Sequence, residues 1–209
     1  MNEFCERIIK YKYEILTLCI YVVFSIVMFA FHEPWYDEIQ AFSLARDASI
    51  KELIFYIPHY EGHPPLYSLL LAPFAKAGLP FELSLRLVTF PFSVCATYLL
   101  VFKAPFKRIV RCVLPFTFFV YYNYTIICRP YALLFCSFML AAYFYKNRNS
   151  KPFSYIFSLM FMCLCSLYGI LFAGCFCIVW TYEILIELKN KRLFSKVLYD
   201  KRFWSLVFI

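Results

Sequence analysis

Two adjacent carboxylates, Asp37 and Glu38, are the residues of this chain whose position most favours chemistry. They lie in the stretch EPWYDEIQA, directly after the uncharged run from Ile15 to Phe31. An ionised carboxylate beside an apolar medium is costly unless it is paired or lies in a water-filled cavity. In such a cavity it could act as a general base that takes the proton of a hydroxyl group. The structural alternative is that the acids begin a helix, whose dipole favours negative charge there.

Three cationic or titratable side chains could work with these carboxylates: His63, Arg86 and Arg129. Arginine binds phosphate through paired hydrogen bonds, so two arginines near two acids could hold a phosphate beside a base. The structural alternative for Arg86 and Arg129 is an arginine at a helix end that extends its guanidinium group to the membrane surface. His63 precedes a double proline, and a single histidine in a polar loop is more often an ordinary surface residue.

The composition predicts that these residues belong to a polytopic membrane protein. The chain is 63% hydrophobic and only 16% charged, whereas a soluble domain has about 25% charged residues. Uncharged runs near the length of a membrane span, about 17 to 25 residues, cover Ile15 to Phe31, Leu87 to Phe102, Cys112 to Cys128 and Pro130 to Tyr145. We predict an all-α fold with about six transmembrane helices and a partial seventh in RFWSLVFI.

The basic loops predict the orientation of these spans. The run from Pro152 to Tyr182 has basic loops on both sides, so it should cross the membrane twice, with a turn at Ser166 to Gly169. Lys and Arg are enriched in cytoplasmic loops, which predicts a cytoplasmic N-terminus and an external loop of about residues 32–86. In this arrangement most Lys and Arg residues are cytoplasmic. Those that lie on the external side are Arg46, Lys51, Lys76, Arg86 and Arg129.

The external loop should contain short helices that lie on the membrane surface. Ser49 and Glu52 have the spacing of a capping box, which predicts a helix starting there. The apolar stretch from Pro64 to Ala75 is too short to cross and should lie flat, with Pro65 in its first turn and Gly78 as its stop. All three histidines of the chain fall in this loop.

The order of these features resembles the N-terminal half of membrane glycosyltransferases of the C-type fold. These include the protein O-mannosyltransferases and the lipid A aminoarabinose transferases. The resemblance extends over roughly Ile15 to Tyr145 and rests on four stretches in order: WYDEIQAFSLARD, YEGHPPLYSLLLAPFAKAGLP, LSLRLVTFPFSV and YTIICRPYALLFCSFMLAAY. We therefore expect the chain to be a single transmembrane domain, residues 1–209, that forms the N-terminal part of a longer enzyme.

The resemblance implies transfer of a sugar from a polyprenyl-phosphate donor to a glycan, lipid or protein acceptor. The reaction would take place on the external face of a bacterial plasma membrane. Asp37 would be the general base, with Glu38 assisting and with inversion at the anomeric carbon. The side chains implied to contact the donor and its phosphate are His63, Arg86, Arg129 and Tyr131.

Several other functions are disfavoured by the sequence. The basic residues mark membrane topology and contacts with anionic lipids, so we expect no nucleic-acid partner. Two close cysteine pairs lack a nearby histidine, which argues against a zinc site. We predict no cofactor and no metal, although some C-type enzymes use a divalent ion. The alternative function is a non-catalytic truncated membrane protein or transporter-like subunit, in which the acids and arginines pair structurally.

Overall fold

The computed structural model of this chain is helical and describes residues 6, 9–61, 63–190 and 200–207. No strand occurs in those ranges. In chain order the helices are α1 (Lys12–Phe29), α2 (Tyr36–Asp47), α3 (Ile50–Phe55), α4 (Ile57–Glu61), α5 (Leu66–Lys76), α6 (Phe81–Lys103), α7 (Arg108–Val113), α8 (Tyr131–Tyr145), α9 (Pro152–Cys165), α10 (Leu167–Asn190) and α11 (Lys201–Val207). A 3₁₀ turn, Leu114–Phe116, and a π-helix, Phe118–Ile126, lie between α7 and α8.

Three of these helices are long and apolar enough to cross a membrane: α1, α6 and α10. The all-helical fold is confirmed for the described residues, and these three helices suggest an association with a membrane. The apolar helices α5, α8 and α9 are shorter, with 11, 15 and 14 residues, whereas a straight span needs about 20. The arrangement of six spans therefore stays a prediction. The predicted partial seventh span falls on α11 and on residues 208–209, which lie outside the described ranges.

The uncharged run from Cys112 to Cys128, which we predicted as one span, is not one regular helix. Pro115 lies in the 3₁₀ turn, and the following Thr117 is extended, with φ of −71° and ψ of 153°. Proline lacks an N–H group and its ring clashes with the preceding helical turn, so a helix commonly breaks there. The π-helix then ends at Ile126, and Ile127 is extended. Residues 127–130 thus form a non-helical link into α8.

Three local predictions about the loops and turns are confirmed. The Ser49 hydroxyl accepts a hydrogen bond from the Glu52 N–H, and the Glu52 carboxylate accepts one from the Ser49 N–H. Gly78 has φ of +78° and follows the last turn of α5. Its N–H and that of Leu79 donate to the final carbonyls of the helix, which is a Schellman motif. A break at Ser166 separates α9 from α10.

The helices of the predicted external loop pack against the apolar helices. Phe42 and Ala45 of α2 and Tyr67 and Leu71 of α5 are buried in one hydrophobic core, which α1, α6 and α8 also line. The Lys76 ammonium group donates to backbone carbonyls at the end of α2, including that of Arg46 at 3.0 Å. Loop and apolar helices therefore form a continuous structure around the candidate site.

Polar contacts fix the two ends of α1. Near its start, the buried Glu14 carboxylate pairs with Arg108 at 2.9 Å and with Arg111 at 3.2 Å. At its other end, the Arg86 guanidinium donates to the Phe29 carbonyl at 2.7 Å and lies over the Phe29 ring. The start of α7 thus lies beside one end of α1, and the first part of α6 lies beside the other.

Gly169 should be intolerant of a larger residue because α9 and α10 approach each other there. An added Cβ atom would lie 2.0 Å from the carbonyl oxygen of Met162, so the helices would have to separate. We expect Gly169→Ala to lower the free energy of unfolding by about 1–3 kcal/mol, measured by thermal unfolding in detergent. Gly174→Ala is the matched control, because no described residue lies within 4 Å of its added Cβ. Equal unfolding temperatures for the two variants would contradict this packing.

Candidate functional site

Glu38, near the start of α2, is buried, with 1% of its surface exposed. One carboxylate oxygen, Oε2, accepts from the Trp35 N–H at 2.8 Å and is 2.9 Å from the His32 Nε2 atom. The other, Oε1, accepts from the Cys128 N–H at 2.7 Å. Both oxygens are therefore engaged, one with the N-terminus of its own helix and one with a distant segment of the chain.

These contacts lower the pKa of the Glu38 carboxyl. Burial, the largest influence, raises the pKa, because it disfavours the charged form. The hydrogen bonds from His32, Trp35 and Cys128, together with the field of His32, outweigh burial and leave the pKa below its ordinary value. Glu38 is therefore ionised at neutral pH and acts as a hydrogen-bond acceptor.

Both backbone polar groups of Cys128 are hydrogen-bonded to side chains. Its N–H donates to Glu38, and its carbonyl accepts from the Tyr67 hydroxyl at 2.6 Å. Tyr67 is 3% exposed, and burial raises the pKa of its hydroxyl well above the ordinary value. We call Glu38, Tyr67 and the backbone of Cys128 the Cys128 clamp. It satisfies the N–H and carbonyl groups of Cys128 in the non-helical link, where no helical partner is available.

The clamp places Arg129 beside Asp37. The guanidinium Nη1 atom of Arg129 lies 2.9 Å from Asp37 Oδ2, and the ring of Tyr131 lies 4.9 Å from the guanidinium carbon. The Asp37 side chain is 45% exposed and that of Arg129 is 23% exposed. Asp37 lies in the first turn of α2, where the helix dipole also favours its negative charge.

Two cavities meet at Arg129. The first has a volume of about 160 Å³, well above the ~10–15 Å³ that holds one water molecule. Its polar lining residues are Asp37, Gln40, Glu61, His63, Ser68 and Arg129. We call it the polar cavity. Within it, the Gln40 amide donates to the Glu61 carboxylate at 2.8 Å.

The second cavity is an apolar groove of about 610 Å³, within the ~300–1,000 Å³ typical of small-molecule sites. It is bounded by the π-helix, by α8 and by the start of α10. Its lining includes Tyr124, Tyr131, Leu134, Phe135, Phe138 and Phe172. Among the described residues, Arg129 is the only charged side chain that lines it. One arginine therefore borders both the apolar groove and the polar cavity.

The structure brings some of the predicted site residues together and separates others. Asp37, His63 and Arg129 line the polar cavity, and Tyr131 lines the apolar groove beside Arg129. The Nδ1 atom of His63 is buried and has no hydrogen-bond partner among the described residues. Arg86 lies instead in a small crevice that Glu38 also lines, apart from the polar cavity, and its guanidinium group donates to the Phe29 carbonyl at the end of α1.

The buried hydrogen bond of Tyr67 was not predicted from the sequence, although one signal was present. A tyrosine hydroxyl in an apolar helix usually finds a hydrogen-bond partner when it is buried. Nothing in the sequence indicated that this partner is the Cys128 carbonyl, because the two residues are 61 positions apart. The role of Glu38 as a buried acceptor was likewise not predicted.

The described residues contain no group of three or more His, Cys, Asp or Glu side chains arranged to hold a metal ion. Comparison with models of protein families, with curated proteins and with solved structures gives no match. The functional interpretation therefore depends on the geometry of the two cavities and on the sequence resemblance described above.

The contribution of Glu38 to stability should depend on pH. Because its pKa is lowered by folding, its stabilising effect is present above the unfolded pKa of about 4.3 and is lost as the pH falls through the lower folded value. In Glu38→Gln the side-chain NH₂ group, itself a donor, must face one of the two backbone N–H groups that donate to Glu38. That N–H group then loses its acceptor. We expect a loss of about 1.5–3 kcal/mol at pH 7 that shrinks below about pH 4, measured by unfolding in detergent.

Glu82→Gln is the control for this measurement, because Glu82 is an exposed acid in the first turn of α6. Its effect should stay within about 0.5 kcal/mol, as for ordinary surface substitutions. If the stability difference between wild type and Glu38→Gln were the same at pH 7 and at pH 3.5, the assigned hydrogen-bonding role of the ionised carboxylate would be wrong.

Proposed function

We propose that the chain is a membrane glycosyltransferase that transfers a sugar from a polyprenyl-phosphate donor to an acceptor. The observation that carries this proposal is that Arg129 borders an apolar groove on one side and an acid-containing polar cavity on the other. A lipid-linked sugar has the matching chemistry: an apolar chain, then a phosphate, then a hydroxylated ring. In the proposed complex the chain lies in the groove, the phosphate binds Arg129 and the sugar enters the polar cavity.

Asp37 and Arg129 have complementary roles in the proposed reaction. The acceptor hydroxyl oxygen attacks the anomeric carbon, its proton passes to Asp37, and the bond from that carbon to the phosphate oxygen breaks. The electron pair stays on the departing phosphate, whose negative charge Arg129 stabilises. Attack opposite to the leaving group gives inversion at the anomeric carbon.

The remaining predicted residues receive different roles in this proposal. Tyr131 supports the guanidinium group of Arg129 through its ring. His63 contributes a hydrogen-bonding ring to the polar cavity. Glu38 assists through the Cys128 clamp, because both of its oxygens are already engaged. Arg86 is left out of the proposed phosphate site, since its guanidinium group caps α1.

The proposed topology has six spans, a cytoplasmic N-terminus and residues 32–86 outside, in a bacterial plasma membrane. The contacts at the two ends of α1 support it. Glu14 pairs with Arg108 in a loop that we assign to the cytoplasm. Arg86, which we assign to the external face, contacts Phe29 at the opposite end. The non-helical link at residues 127–130 is compatible with a membrane site because it lines a cavity and its Cys128 peptide is hydrogen-bonded.

A second candidate function is a non-catalytic membrane protein in which the acids and arginines pair structurally. The observation that favours it is the ion pair between Asp37 and Arg129 itself. In that case neither side chain needs a substrate, and both cavities would be incidental features of the packing.

Replacement of Asp37 distinguishes the two functions. We expect Asp37→Asn to lower the rate of sugar transfer from a polyprenyl-phosphate donor by about 10²–10⁴-fold, because the base is lost while the size is kept. The matched control is Asp47→Asn at the other end of α2, where the carboxylate is exposed and pairs with Arg46. Transfer that is equally fast in Asp37→Asn and Asp47→Asn would remove Asp37 as the base.

Cysteine labelling tests the proposed orientation. Tyr60 is 88% exposed in the proposed external loop, and Lys151 is exposed in a proposed cytoplasmic loop. With a membrane-impermeant maleimide and the unsubstituted chain as background, Tyr60→Cys should label in intact cells. Lys151→Cys should label only after lysis. The reverse pattern would overturn the orientation.

A further inference from the structure

The ion pair between Asp37 and Arg129 raises a chemical difficulty for the proposed reaction. One Asp37 oxygen lies 2.9 Å from the guanidinium group, so the positive charge of Arg129 faces the carboxylate and partly neutralises it. The carboxylate in turn competes with a phosphate for the guanidinium group. In the arrangement that the structure shows, each charge is therefore directed at the other and not at a substrate.

We infer that this ion pair is the resting state of the site. When the lipid phosphate binds, Arg129 pairs with the phosphate instead of with Asp37. The freed Asp37 carboxylate then acts as a base. The inference rests on the proposed function and adds how the site is regulated. Donor binding would come first and would activate the base. The acceptor would react only at a site that already holds a donor.

The positions of the two residues support this exchange. Arg129 lines both cavities, whereas Asp37 lines only the polar cavity. A phosphate bound in the apolar groove can thus contact Arg129 from a cavity that Asp37 does not line. The Cys128 clamp fixes the backbone next to Arg129, so the exchange requires movement of side chains only.

The energetics also favour an exchange. The Asp37 side chain is 45% exposed, and ion pairs in such places are weak because water screens them. A tetrahedral phosphate offers several acceptor oxygens, two of which can accept parallel hydrogen bonds from the planar guanidinium group. Arg129 is paired before and after the exchange, so no buried cation is left alone. The freed Asp37 carboxylate remains in the polar cavity, which can hold water.

Binding measurements on the full chain in detergent test the inference, with radiolabelled geranylgeranyl phosphate as the probe. Asp37→Asn removes the competing charge, so we expect this variant to bind the probe about two- to fivefold more tightly than wild type. Arg129→Gln should bind it about ten- to a hundredfold more weakly. The same Asp37→Asn variant that is inactive in transfer should therefore be the better phosphate binder.

Glu61→Gln is the control for simple charge repulsion. Glu61 lines the same polar cavity but is bonded to Gln40 rather than to Arg129. Loss of the Glu61 carboxylate should leave the Kd for geranylgeranyl phosphate close to that of wild type. Asp37→Ser serves as a second variant at the paired position, and gel filtration and unfolding temperature show that each variant is folded.

The outcomes separate the inference from the function on which it rests. Unchanged binding in Arg129→Gln would reject the phosphate site and with it the proposed function. Weaker binding in Arg129→Gln, together with no gain in either Asp37 variant, would reject the exchange and keep the phosphate site. An equal gain in Glu61→Gln and Asp37→Asn would also reject the exchange, because repulsion alone would explain it.

Discussion

The candidate site depends on the clamp around the backbone of Cys128. This residue lies in a non-helical link between apolar helices, where an unpaired N–H or carbonyl group would be costly. Glu38 accepts from the N–H and Tyr67 donates to the carbonyl, so two helices of the predicted external loop supply the partners that a regular helix would have provided. The same two bonds fix the backbone beside Arg129 and hold α2 and α5 against the apolar helices.

The clamp explains why two neighbouring acids have different environments. Glu38 is 1% exposed and hydrogen-bonded through both oxygens, whereas the adjacent Asp37 faces a cavity. Successive residues of a helix point about 100° apart, so one can face the interior while the next faces the cavity. Two residues that look equivalent in the sequence therefore have different surroundings, one as a buried hydrogen-bond acceptor and the other at the wall of the polar cavity.

Features of the fold that depend on local chemistry could be predicted from the sequence. The Ser49 cap, the Gly78 stop and the break at Ser166 each follow from residues within a few positions of one another. The division of the run from Cys112 to Cys128 was not predicted, although Pro115 was a local signal for it. The hydrogen bond from Tyr67 to Cys128 joins residues that are 61 positions apart. The periodic spacing of apolar residues in the sequence does not predict such a distant contact.

The central claim is that the apolar groove, with Arg129 in its lining, binds a lipid phosphate. Photo-crosslinking tests it most directly, with a geranylgeranyl phosphate that carries a diazirine in its chain. We predict labelling of the groove segments around Tyr124 and Phe138, reduced by unlabelled geranylgeranyl phosphate but not by geranylgeraniol, which lacks the phosphate. Labelling spread along the exposed face of α1, with equal competition by phosphate and alcohol, would contradict the account.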